Sequence, residues 1–172
     1  GEALRLDVWP ALNVKSLAET LDLCIAIRPL GTLNVGIWKE HTIWLGQARG
    51  GSSAGYFSWR LLKVVDGPAT PNAICADSKG NGYWMTRTGR IVMMGEGYKI
   101  TYPGDGVWST VRGELPVLND NRLTMHATYV PDNDEVWFFY MHEGAVDGCG
   151  GTARIQRAVI LCNPSTKPAA FV

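Results

Sequence analysis

Three acids in four residues, Asp132, Asp134 and Glu135 in the stretch PDNDEVWFFY, are the first candidates for chemistry in this chain. An Asp-x-Asp pair followed by Glu can ligate calcium through carboxylate oxygens. The full calcium loop spreads its ligands over about twelve positions and needs a glycine at the sixth. Counted from Asp132, the sixth place is Trp137, inside the apolar run VWFFY. The expectation is a solvated hairpin turn, where Asp and Asn suit the backbone geometry, and not a metal site.

The other chemical motifs are weaker. GSSAG (Gly51 to Gly55) matches G-x-S-x-G with Ser53 at the nucleophile position. That elbow needs a strand before it and a helix after it, whereas the strand-like YFSWRLLKVV follows. His142 precedes Glu143, but no second histidine follows four positions on, so there is no HExxH zinc site. His41 falls in a turn and reads as exposed; His126 starts a strand and reads as structural. A glycosidase needs two carboxylates across a cleft; Asp77, Asp105, Asp132, Asp134 and Glu135 are the candidates, and spacing pairs none of them. GEGYKITYPGDG lacks the Lys-Ser/Thr of a phosphate loop and any following helix, so it reads as a hairpin and loop. Cys24, Cys75 and Cys162 lie in or beside apolar stretches and read as small hydrophobes, while Cys149 lies in a Gly-rich loop. Their spacing fits no zinc pattern. No catalytic residue, metal or cofactor is expected.

Elements must still position these residues, and the composition says which kind. The chain has 172 residues with 20 Gly, 9 Pro and 7 Trp, a mixture for many turns and short strands. Lys+Arg and Asp+Glu both number 16, so there is no basic excess of the kind a phosphate-binding protein shows. No apolar run approaches the ~20 residues of a membrane helix. Val14 to Leu23, with leucines at 17, 21 and 23, is the one segment with helix-like spacing; it is either a short helix or a crossing loop.

Three segments share one layout: VGIWKEHTIWLGQ, AICADSKGNGYWMTR and ATYVPDNDEVWFFYM. Each runs apolar stretch, polar turn, then a core with Trp at its centre: Ile43-Trp44-Leu45, Tyr83-Trp84-Met85 and Val136-Trp137-Phe138. The central tryptophans stand 40 and then 53 residues apart. Periods of about 40–50 residues with several strands per unit mark propeller blades, and an indole suits the space between facing sheets. The fold expected is all-β, with antiparallel sheets as about three propeller-type blades. Residues 1–32 read as a connecting segment and 33–172 as blade repeats. Three blades are fewer than the ~4–8 of a closed propeller, so the partner sheets are expected in a longer chain or a neighbouring subunit.

The stretch from Leu33 to Tyr140 resembles the β-propeller region of tail nozzle and hub proteins of tailed bacteriophages. VGIWKEHTIWLG, VVDGPATPNAICADSKGNGYWMTRTGRI and MHATYVPDNDEVWFFY carry the resemblance. They include the turn Asp66-Gly67-Pro68-Ala69-Thr70-Pro71-Asn72-Ala73 and the Arg122 to Tyr140 pattern that ends in Glu-Val-Trp-x-x-Tyr. The chain is shorter than such proteins, and its first thirty residues match nothing in them. The resemblance implies a structural virion protein in the tail, made in the host cytoplasm. It would form a ring around the DNA exit channel and carry no catalytic residues. Its partners would be further copies, neighbouring tail or adaptor proteins and passing DNA, with no membrane. Arg49, Arg154 and Arg157 are candidates for subunit or channel contacts. A second reading is a carbohydrate-binding, lectin-like propeller, in which Trp59 and Trp108, outside the repeat cores, would stack on sugar rings. A glycan-cleaving propeller enzyme comes third.

Overall fold

The computed structural model describes residues 19–30, 34–48, 57–115, 125–146, 152–162 and 170–171. The chain is all-β and antiparallel in class. Three four-stranded sheets follow one another along the sequence, and each is an up-and-down meander of consecutive strands. The first contains β1 (Cys24–Pro29), β2 (Asn34–Lys39), β3 (Thr42–Ala48) and β4 (Phe57–Val64). The second contains β5 (Ile74–Ala76), β6 (Gly82–Met85), β7 (Ile91–Met94) and β8 (Ile100–Thr101). The third contains β9 (His126–Val130), β10 (Glu135–Val146), β11 (Thr152–Cys162) and β12 (Ala170–Phe171). Because β1 belongs to the first sheet, that sheet reaches back across the boundary expected after residue 32. Residues 14–18 of the helix-like segment lie outside the described residues; Glu19 to Leu23 form turns and bends.

Turn chemistry explains the hairpins. Between β5 and β6, the Asp77 carboxylate accepts the backbone N–H of Lys79 and of Asn81, each at 2.9 Å, together with Asn81 Nδ2 at 2.7 Å and the Tyr83 hydroxyl at 3.0 Å. Local side-chain bonds of this kind hold a tight turn closed. Between β6 and β7, Gly89 has φ +77, and a Cβ there would lie 2.6 Å from Val111 Cγ1 and 2.7 Å from Leu115 Cδ1. Only glycine meets both demands.

Val111 belongs to an element the sequence reading missed, and Leu115 caps its C-terminal end. α1 (Asp105–Glu114) begins inside the segment expected to be hairpin and loop. Asp105 in its first turn and Arg112 in its last complement the helix dipole. Val107, Val111 and Leu115, spaced by four, form its apolar stripe against the core. That stripe is only three residues long, which is why periodicity did not reveal it.

The second sheet lies between the other two. One of its faces presents Ile74, Trp84, Val92 and Met94 to Ala26, Trp38, Ile43 and Leu45 of the first sheet. Its other face presents Tyr83, Met85 and Ile91 to Val136, Phe138, Tyr140, Val159 and Leu161 of the third, with Val111 of α1 in the same cluster. Strand alternation sends Trp84 one way and its neighbours Tyr83 and Met85 the other. A sheet buried on both faces reads as a continuous apolar run, which is what Gly82–Met85 and Ile91–Met94 are.

Candidate functional site

The three repeat tryptophans do not occupy equivalent places. Trp84 is fully buried in the seam between the first and second sheets, and its indole N–H donates to the Asp66 carbonyl at 2.8 Å. Trp44 is also buried, but register sets it apart. Ile43 and Leu45 face the second sheet, so Trp44 faces away from it, opposite Ile37 and Leu61. There its indole N–H reaches Thr20 Oγ1 at 3.3 Å. Trp137 is only half-buried. Its neighbours Val136 and Phe138 take the inward positions on β10, so Trp137 turns outward beside Phe139, with ring centroids 5.9 Å apart. Trp137 therefore faces away from the second sheet, on the outer face of the third. The expected phase of the repeat is corrected: KEHT joins the second and third strands of its sheet, whereas SKGNG and PDND join the first and second.

The tryptophan that meets Trp84 is Trp38 of β2. Its ring packs edge-on at 6.1 Å between centroids and 70° between planes. Trp38 lies in the same quoted phrase as Trp44, so the signal was present; only the strand count decides between them.

The acid cluster closes a hairpin. Asp134 adopts φ +50, accepts the Tyr129 hydroxyl at 2.9 Å, and donates its backbone N–H to the Pro131 carbonyl at 3.3 Å. Glu135 accepts the Trp137 indole N–H at 2.9 Å, and that bond holds its carboxyl below the usual range. The tip abuts the β5–β6 turn through Ser78 and Tyr129 at 3.2 Å and through Lys79 and Asp134 at 3.7 Å. Asp77 is committed to its own turn. Among the described residues no group of three or more His, Cys, Asp or Glu side chains could hold a metal ion, and no helix is long and apolar enough to cross a membrane.

The remaining expected residues are scattered. Trp59 packs beside Phe57 at 5.6 Å on β4. Trp108, on α1, donates its indole N–H to the Thr88 carbonyl at 3.2 Å, and the guanidinium groups of Arg90 and Arg112 each lie 5.4 Å from its ring centroid. Arg157, on the third strand of its sheet, bonds Glu114 at 2.5 Å, and Tyr140 bonds the other oxygen of that carboxylate. Arg157 thus ties α1 to the third sheet. Arg154 stands opposite Glu143 in the backbone register of β10 and β11. Arg49, Ser53 and Cys149 lie outside the described residues. His126 stacks on Phe139 at 4.5 Å, and His142 donates from Nδ1 to the Glu114 carbonyl at 3.2 Å.

A groove the sequence reading did not assemble lies where the first two sheets meet. A cleft of about 390 Å³ is lined by His41, Val64, Val65, Asp66, Thr86, Arg90, Val92 and Tyr102. A smaller one of about 190 Å³ shares His41, Asp66 and Thr86 with it. His41 Nδ1 donates to Asp66 at 2.9 Å. Arg90 gives Asp105 two bonds, at 3.0 and 3.1 Å, and lies 3.7 Å over the Tyr102 ring. The hydrogen bonds that Arg90 donates to Asp105 raise its pKa further above its ordinary value. Arg87 pairs with Glu40 at 2.6 Å.

The linker Asp66–Ala73 builds one wall of this groove. Gly67 donates its N–H to the Glu40 carbonyl at 2.8 Å, and a Cβ at that position would lie 1.9 Å from the Lys39 carbonyl oxygen. Thr70 Oγ1 caps the turn by accepting Asn72 and Ala73 N–H groups, each at 3.1 Å, and donates to the Met125 carbonyl at 2.9 Å. The Asp-Gly and Thr-Pro of the sequence motif are thus the parts that lock one sheet against the next.

No protein-family model and no curated protein matches this chain.

Proposed function

We propose that the chain is a structural virion protein of a tailed bacteriophage, a tail nozzle or hub component that works by assembly. In this reading the three meanders are successive blades of a propeller-type ring around the DNA exit channel. The observation that carries it is the second sheet, which is buried on both faces between its two neighbours in chain order.

Two further features support the reading. The linker from β4 to β5 carries the chain from the fourth strand of one sheet to the first of the next, and β5 packs against β9, first strand against first strand. Sheets that fan out from adjoining first strands are what a ring of blades requires. The outer faces are apolar as well. Ile27, Ile37, Trp44 and Leu61 form a cross-strand row on the first sheet, with Ile27 and Leu61 59% and 43% exposed at its ends. Trp137, Phe139 and His126 cluster on the outer face of the third. Ile37 and Trp44 are already buried; further sheets, from a longer chain or a neighbouring subunit, would cover the exposed ends of that row and the cluster on the third sheet.

The position of Arg157 in a pair with Glu114, on a third strand, argues against a channel contact for that residue. Mass spectrometry of purified virions from a phage that encodes this sequence tests the assignment. Its peptides, at a copy number consistent with a ring, are the expected result; their absence from the particle would sink the reading.

A further inference from the structure

We propose that the groove between the first two sheets binds a neutral saccharide. The inference goes beyond the assembly reading and does not rest on it.

Charge balance points to the ligand class. Asp66 faces His41, Asp105 holds Arg90, and Glu40 holds Arg87. Each basic side chain of the groove already has its carboxylate, so no cationic pocket awaits a phosphate. A net charge brought into such a groove would gain little and lose its hydration. A sugar hydroxyl fits better, because it donates to a carboxylate and accepts from an imidazole or guanidinium at the same time. Paired side chains supply both functions side by side.

Shape and apolar surface agree with that chemistry. The larger cleft, at about 390 Å³, falls in the size range of small-molecule sites. Its continuation past His41, Asp66 and Thr86 into the smaller cleft makes the groove elongated, which suits linked rings. Val64 and Tyr102 offer apolar surface to the C–H faces of a sugar. Arg90 lies against Tyr102 and is itself held by Asp105, so this wall is ordered before any ligand arrives. The groove sits on strand ends and turns of two packed sheets, a rigid platform for a binding site.

The test is titration of the intact chain with a panel of neutral oligosaccharides, followed by calorimetry and by saturation-transfer NMR, with inorganic phosphate as the comparison ligand. At least one saccharide is expected to bind at or below about 1 mM. Asp66→Asn and Tyr102→Ala should each weaken it about tenfold or more. Val64 is 78% exposed, so Val64→Arg should fold normally and block the groove from its rim. Trp59→Ala, on β4 outside the groove, should leave binding unchanged. No saccharide binding at that concentration, binding unaffected by Val64→Arg, or phosphate bound more tightly than any saccharide would each overturn the proposal.

Discussion

Trp38 and Trp84 meet edge-to-face across the seam of the first two sheets, 6.1 Å between ring centroids. Both are essentially inaccessible to solvent. Truncating either ring leaves a large cavity, so Trp38→Ala and Trp84→Ala should each cost about 3–5 kcal/mol. The double variant should be less damaging than the sum of the singles by about 0.5–1.5 kcal/mol, the share of the ring pair itself. Trp137→Ala, at a half-buried outward position, should cost less than half as much. Urea denaturation of the four variants measures all of these.

Much of this was legible in the sequence, and the limit is instructive. Short apolar runs and Gly, Asn and Asp turns announced antiparallel strands, and the Asp66–Ala73 turn stood out among the residues of the family resemblance. The trio of central tryptophans was misleading because a strand run does not state which face each residue takes. A shift of one residue inverts inside and outside, and that inversion separates Trp137 from Trp84. The groove was invisible for a different reason. His41, Asp66, Arg90 and Tyr102 come from four separate turns and loops, and only the packing of the sheets brings them together.

Lys39 and Asp22 form a buried ion pair at 3.1 Å. Burial works against the Asp22 charge, but hydrogen bonds from the His41 N–H, Thr20, Lys39 and Thr42 outweigh it and hold the carboxyl well below the usual carboxylate range. The folded state therefore prefers the ionised form. The stability this confers is fully present above the unfolded-state pKa of about 4 and is lost as pH falls through the lower folded value. Thermal melts from pH 6 to pH 2 should show a steeper acid loss for the native chain than for Asp22→Asn. Asp22→Asn should already be destabilised at pH 7, because it removes the charge that the His41 N–H, the Thr42 hydroxyl and Lys39 all engage.

Gly67 has no room for a side chain, since a Cβ would meet the Lys39 carbonyl oxygen at 1.9 Å. The obstacle is backbone and cannot swing aside. Gly67→Ala should force the linker from the first sheet and cost at least about 1–3 kcal/mol. It should also raise hydrogen exchange at Gly67 and Ala69, whose N–H groups bond Glu40 and Met85.

The Asp132–Glu135 turn needs no ion. Added calcium should leave the melting temperature of the native chain unchanged, and the pair Asp132→Asn and Asp134→Asn should respond to calcium in the same way. Asp134→Gly should be tolerated within about 1 kcal/mol, because φ +50 suits glycine. Asp134→Val should be clearly destabilising at that backbone angle.

Cys75 should be inert in the folded protein. Burial, with the Asp77 charge adding to it, pushes its thiol up to about 12, so the reactive thiolate is scarce at neutral pH. Iodoacetamide at pH 8 followed by peptide mapping should label the exposed Cys24 before Cys75. Cys75 should react only once the chain is unfolded.

The central claim is that these sheets stack as blades and that further sheets cover their outer faces. Electron cryomicroscopy of the protein as isolated from its native particle tests it most directly. The account predicts a ring in which additional sheets lie against the Ile27–Leu61 row on one side and against Trp137 and Phe139 on the other. A lone three-sheet body that leaves Ile27, Leu61, Trp137 and Phe139 facing solvent would contradict it.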